Sequence, residues 1–294
     1  MPHFQREKGL LPRLRLDRLV SLHVFHPLEK RRTSSSVSIP VLMYHSVAEG
    51  RESGTEYYRT RTSPTRFGEH MRFLHENGYR TAELGEVTDR LGSQSTDAAK
   101  VVAITFDDGF ADFYTDAFPT LNRYGFSATV FLPTSYIGNS ARRFKGKYCM
   151  TWNQVCDLSK ARVIFGSHTV THPQLHFLNP ADQRCELRES RDTIEQMTGM
   201  PVHSFSYPYA FPEHDRAFAR QLTAGLSDCG YANGVSTIIG RAGSDDSKFF
   251  LKRIPVNDAD DQKLFRAKLE GGYDWLHRVQ YMTKLVRSGI GKWQ

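Results

Sequence analysis

Val101-Val102-Ala103-Ile104-Thr105-Phe106-Asp107-Asp108-Gly109 is the stretch on which the fold turns. Its first six residues form a β-branched, apolar run suited to a buried strand, and it stops on two carboxylates and a glycine. Beyond it, Phe113, Ala117, Leu121 and Tyr124 follow helical spacing up to Gly125, although Pro119 weakens the case for one straight helix. Upstream, residues 39–45 (IPVLMYH) read as another buried strand. Residues 65–77 then place Phe67, Met71 and Leu74 on one helical stripe ended by Gly78. Downstream, SATVFL is a strand and Thr151-x-x-Gln154 resembles a capping box opening a helix to about residue 161. RVIFGSH is a strand, 181–198 a polar helix with Leu187 and Ile194 inward, and HSFSYPY a strand. A helix over 214–229 and strands in YANGVST and FFLKRIPV complete the series.

Strands separated by helices of roughly 10–15 residues predict parallel βα units, hence an α/β fold. Asp107, Asp108, His168 and Tyr209 all fall just past predicted strand C-termini. In a βα barrel those ends share one rim, where loops carry the chemistry. Residues distant in sequence then converge.

Asp107 and Asp108 offer a pair in which one carboxylate binds a metal and the other takes a proton from water. Side chains of neighbours on a regular strand point apart, and Gly109 permits the turn that lets both face one site. Alone, Asp-Asp-Gly is also ordinary turn punctuation. His168 and His172 are four apart, and on a helical turn such imidazoles can chelate one ion. Alone, they are equally surface or capping histidines. His176 extends the series and reads as an exposed loop residue. Two histidines and a carboxylate together leave metal coordination positions open for water and substrate.

The formal charge of +7 is concentrated at the ends: +5 over residues 1–39, +4 over 261–294 and −2 between them. A basic nucleic-acid-binding body is therefore not indicated. No apolar run reaches the roughly 20 residues that span a bilayer, and arginines interrupt the apolar start, so neither a secretory signal nor a membrane span is expected. Four cysteines at 149, 156, 185 and 229 have no zinc-ribbon spacing and are read as free buried thiols. Three segments are expected: a basic extension and linker over 1–38, a catalytic domain over 39–260, and a basic amphipathic helix over 261–294. In the first, Leu10, Leu11, Leu14, Leu19, Leu22 and Phe25 can share one helical face; in the last, Trp275, Val279, Met282 and Val286 form a stripe. Either segment suits packing on the domain or peripheral contact with an anionic membrane surface.

The pair TFDDGF and SHTVTHP resembles the signature of the NodB-homology polysaccharide deacetylases, carbohydrate esterase family 4. VLMYHS, YGFSATVFLPT, MTW, SFSYPYA and LKRIPV agree with that family in order and spacing over about residues 39–256. The resemblance implies a distorted (β/α) barrel, usually seven-stranded, and one divalent metal, commonly zinc, with cobalt, nickel or ferrous iron as alternatives. It implies Asp107 as general base, Asp108, His168 and His172 as metal ligands, and Pro208-Tyr209 as the element whose tyrosine N–H contributes to an oxyanion hole. The substrate implied is an N-acetylated glycan, cleaved to acetate and a free amino sugar.

Two departures stand out. Phe205 occupies the place of the family's base-orienting arginine, which makes Arg253 a candidate substitute, and Ala210 replaces the usual glycine after the tyrosine. No late Leu-x-His motif supplies the acid. His45, ending the LMYH strand, resembles the acid of biofilm-polysaccharide deacetylases and is preferred to His277, which is expected to be exposed on a helix. Rival readings are deacetylation or deformylation of a lipid-linked sugar at the inner face of the membrane, hydrolysis of a small cyclic amide, and an inactive carbohydrate-binding member. The expected location is cytoplasmic, and the sequence leaves oligomeric state open.

Overall fold

The computed structural model describes residues 15–31, 37–50, 59–93 and 100–290, with side chains up to residue 286. Seven parallel strands form the barrel: β1 (Val41–Tyr44), β2 (Val101–Phe106), β3 (Ala128–Leu132), β4 (Val163–Ser167), β5 (Ser204–Ser206), β6 (Asn233–Ile239) and β7 (Leu251–Pro255). Each pairs with its neighbour in chain order, and β7 returns to β1, so the sheet closes. The barrel is irregular in its seams: β4 and β5 pair only at Ser167–Phe205, and β2 and β3 only at Thr105–Thr129 and Phe106–Val130. A short strand, Arg80–Thr81, pairs with the start of β2, and the Thr81 hydroxyl accepts the Ser127 N–H.

The helices are α1 (residues 16–31), α2 (Pro64–Glu76), α3 (Leu84–Gly92), α4 (residues 113–123), α5 (Trp152–Ser159), α6 (Pro180–Thr198), α7 (Arg216–Asp228), α8 (Gln262–Leu269) and α9 (Leu276–Ile290). All six residues of β2 are buried, because the interior fills one face and helices cover the other. Thr151 and Gln154 form the full capping box at the start of α5. Pro119 is accommodated by a π turn, Phe113–Ala117, ahead of an α segment with the proline in its first turn. Leu10, Leu11 and Leu14 lie outside the described residues. Residues 261–294, expected as one helix, hold two, broken at Gly271 (φ 87°) and Gly272. Cys149 and Cys229 are buried free thiols, but Cys185 is exposed.

Candidate active site

The strand register sets the first pair of residues. Tyr44 on β1 lies opposite Phe106 on β2, so the next residues, His45 and Asp107, emerge side by side, with His45 Nε2 3.9 Å from Asp107 Oδ2. Asp108 then turns to φ 70° and Gly109 to 58°. A β-carbon at Gly109 would lie 2.8 Å from Leu132 Cδ2, so the close approach needs glycine there. The left-handed step at Asp108 is what swings the second carboxylate inward. Both carboxylates are buried.

His168 follows β4 directly, its N–H donating to the Leu132 carbonyl. The His168–His172 segment is not the helical turn expected. Thr169 (φ 68°) and His172 (φ 58°) are left-handed, and this brings the two rings to 4.7 Å. For a β-branched threonine that conformation costs energy. Glu186 on α6 holds it, accepting from the Val170 and Thr171 N–H groups at 2.8 and 2.9 Å and from the Thr171 hydroxyl at 2.6 Å.

Asp108, His168 and His172 present one donor atom each, all within 4.8 Å of one another. His168 Nδ1 lies 2.8 Å from the Ser206 carbonyl, which can only accept, so Nδ1 carries the proton. Burial, opposed in part by Asp107, pushes the His168 pKa down to about 3, so the neutral ring aims a lone pair from Nε2 at Asp108 Oδ1, 3.6 Å away. His172 Nε2 is 3.3 Å from the same oxygen, and its Nδ1 is buried without a partner. Acceptors converging in this way call for a cation. Lys145, on the turn between Arg143–Phe144 and Lys147–Tyr148, stands in for one: its Nζ is 3.2 Å from Asp108 Oδ2 and 3.4 Å from His172 Nε2. The donor set fits a divalent metal of the zinc type.

Arg253 is completely buried and bidentate to Asp107, both N–O distances being 2.8 Å. A register shift between Val235 and Ile239 on β6 accompanies the Ser236 carbonyl's acceptance of Arg253 Nε at 2.9 Å. Ser206 Oγ donates to Asp107 Oδ1 at 3.1 Å. Burial raises the pKa of Asp107, but Arg253, His168 and His45 outweigh it and hold the carboxyl well below the usual range. Burial likewise raises Asp108, and the His172 ring against it, helped by His45, His168 and Lys145, pulls it far down. For His45, burial lowers the pKa despite Asp107 and Asp108 nearby.

Pro208 is buried, and Tyr209, left-handed at φ 59°, is half exposed with its ring 4.6 Å from His172. Its carbonyl accepts from Thr237 Oγ1, anchoring the loop to β6. Phe205 is buried against Tyr231. His277 is only partly exposed and pairs with Glu213 at 2.7 Å. His176 is half-buried, its ring tilted against Phe177 at 3.8 Å, rather than free on a loop. Glu186, Ser206 and Lys145 were not singled out from sequence. Only Ser206, inside SFSYPY, sat in a motif that could have found it.

A closed parallel barrel with carboxylate and histidine side chains converging on its C-terminal rim defines a (β/α)-barrel protein with a candidate metal site where such barrels carry their chemistry. A sequence model of the family described as "Polysaccharide deacetylase" matches residues 94–232. YxkH of Bacillus subtilis (strain 168), whose name assigns it to polysaccharide deacetylation, is 31% identical over 239 residues, 81% of this chain and 78% of that protein. The poly-beta-1,6-N-acetyl-D-glucosamine N-deacetylase of Escherichia coli (strain K12) is 28% identical over 137 residues, 44% of this chain and 20% of that protein. The structure of the Streptococcus pyogenes deacetylase PplD in complex with acetate superposes with a TM-score of 0.68 at 25% identity, covering 80% of this chain and 99% of that one. The chain belongs to the polysaccharide deacetylase family, carbohydrate esterase family 4, hydrolases acting on N-acetyl amide bonds.

Proposed function

We propose that this protein removes N-acetyl groups from amino sugars of a glycan, releasing acetate, with Asp108, His168 and His172 holding one zinc ion. The observation that carries the reading is the His168 Nε2 lone pair facing the Asp108 carboxylate, an arrangement with no stabilising partner short of a cation. When bound, such an ion polarises the acetyl carbonyl and acidifies the attacking water.

The chain's own groups divide the rest. Asp107 stays ionised, and its Oδ2 takes the proton from water as the oxygen attacks the carbonyl carbon. Arg253 and Ser206 fix the orientation of that carboxylate. The Tyr209 N–H donates to the developing oxyanion, a contribution of about 2.7–4 kcal/mol in comparable hydrolases. His45 Nε2 passes a proton to the departing amine as the carbon–nitrogen bond breaks. Water and amide are thus converted to acetate and a free amine.

The test is acetate release from N-acetylated glycans, including poly-N-acetylglucosamine, and from a lipid-linked N-acetyl sugar, with and without chelator. Chelator-sensitive release from a glycan supports the reading. Release that ignores chelator, or no release from any member, overturns it.

A further inference from the structure

The two terminal helices are turned inside out. Helix α1 meets the domain largely through polar groups: Asp17 accepts from Tyr273, Arg18 donates twice to Asp261, Ser21 accepts from Trp275, His26 bonds Glu270 and Arg241 donates to Glu29. Its apolar anchors are Phe25, stacked on Trp275 at 5.2 Å, and the partly buried Leu22. Leu16, Leu19, Val24 and Leu28 instead face outward, 65, 38, 46 and 50% exposed.

Helix α9 repeats the inversion. His277, Gln280 and Lys284, spaced i, i+3 and i+7, bind Glu213 and β6. Val279, Met282 and Val286, at the same spacing on another face, are exposed. A helix at home in water buries its apolar stripe. Two neighbouring helices that expose theirs mark a surface built for an apolar or amphipathic partner.

The charge says which partner. From Trp275 to Gln294 the chain has no Asp or Glu but carries Arg278, Lys284, Arg287 and Lys292. The exposed residues of α1 include no acid, and Lys30 and Arg31 are among them. At Arg18 opens a groove of about 360 Å³, where Arg72 and Lys263 add positive charge beyond the Arg18–Asp261 and Arg66–Glu69 pairs. A second copy seated on this face by two-fold symmetry would set cations against cations. No helix among the described residues is long and apolar enough to cross a membrane.

We propose that α1 and α9 form an interfacial binding surface for an anionic phospholipid bilayer. Leu16, Leu19, Val24, Leu28, Val279, Met282 and Val286 enter the boundary between headgroups and acyl chains, and the basic groove takes lipid phosphates. The helices lie on the membrane and do not span it.

The experiment is flotation of the full chain with phosphatidylcholine vesicles and with phosphatidylcholine–phosphatidylglycerol vesicles. We expect partitioning to the anionic vesicles at least about tenfold stronger than to the neutral ones. The combined variant L16S/L19S/V24S/L28S should lose at least about tenfold in that binding, as should V279S/M282S/V286S. Each should keep the wild-type circular dichroism and acetate release from a soluble glycan. Absence of flotation with anionic vesicles, or flotation unchanged in both variants, overturns the proposal. So does a dimer in sedimentation that both variants dissolve while vesicles bind neither form. The vesicle arm needs no catalysis, so its outcome is independent of the deacetylase reading.

Discussion

Two buried ion pairs can be set side by side. Asp107 with Arg253 and Asp260 with Lys268 each close at 2.8 Å with almost no exposure. Around Asp260 the backbone is unstrained and the partners are donors, although Asp260 Oδ1 itself is buried without one. Lys268 also donates to the Pro255 carbonyl, the Asn257 N–H donates to Asp260 Oδ2, and His70 bonds the Asp260 carbonyl while stacking on Phe265 at 4.1 Å. Around Asp107 the backbone is strained at Asp108, Thr169, His172 and Tyr209, and acceptors face one another. Burial of a charge pair therefore says little about function. Strained backbone beside opposed lone pairs says much more.

The comparison breaks most visibly in turnover. His45→Ala should lower kcat by on the order of 10²–10⁴-fold if His45 delivers the proton. His277→Ala, which removes the bond to Glu213, should change kcat little. Equal losses in the two would remove the acid from His45.

The pairs themselves come next. Arg253→Met and Lys268→Met each leave a buried carboxylate uncompensated, at a cost of about 3–5 kcal/mol in denaturant unfolding. Only Arg253→Met should also depress kcat per folded molecule. A comparable kcat loss in Lys268→Met would erase the distinction between the two regions.

A smaller effect concerns pH. Burial lowers the pKa of His70 from 6.5 to about 4, despite its bond to the Asp260 carbonyl. The unfolded chain then binds more protons between those values, so stability falls as pH drops from 6.5 toward 4 and the loss levels off below that. The contribution is on the order of 3 kcal/mol. His70→Gln should flatten this part of the stability profile, and an unchanged slope would assign it elsewhere. Smallest is Ser206→Ala, which removes one hydrogen bond to Asp107 and should lower kcat roughly tenfold with metal content unchanged.

Much of this was legible in the chain. Buried parallel strands are continuous apolar runs, so VVAITF and its counterparts announced the barrel, and polar residues just past them announced the rim. The carboxylate and histidine positions followed from that placement. The manner of their convergence did not, because left-handed conformations at Asp108, Thr169 and His172 depend on tertiary clamps such as Glu186. Arg253 reaches Asp107 only through barrel closure. From sequence it was only a candidate for the role that Phe205 leaves open. The terminal stripes were visible as periodicity, but which face turned inward depended on partners such as Glu213 and Tyr273.

The central claim is that two adjacent carboxylates have separate duties. It is tested most directly by measuring bound zinc and acetate release together in Asp107→Asn and Asp108→Asn. The account predicts that Asp107→Asn retains one zinc per chain and loses turnover by about 10²–10⁴-fold, while Asp108→Asn loses both. Full activity in Asp107→Asn, or stoichiometric zinc in Asp108→Asn, would contradict it.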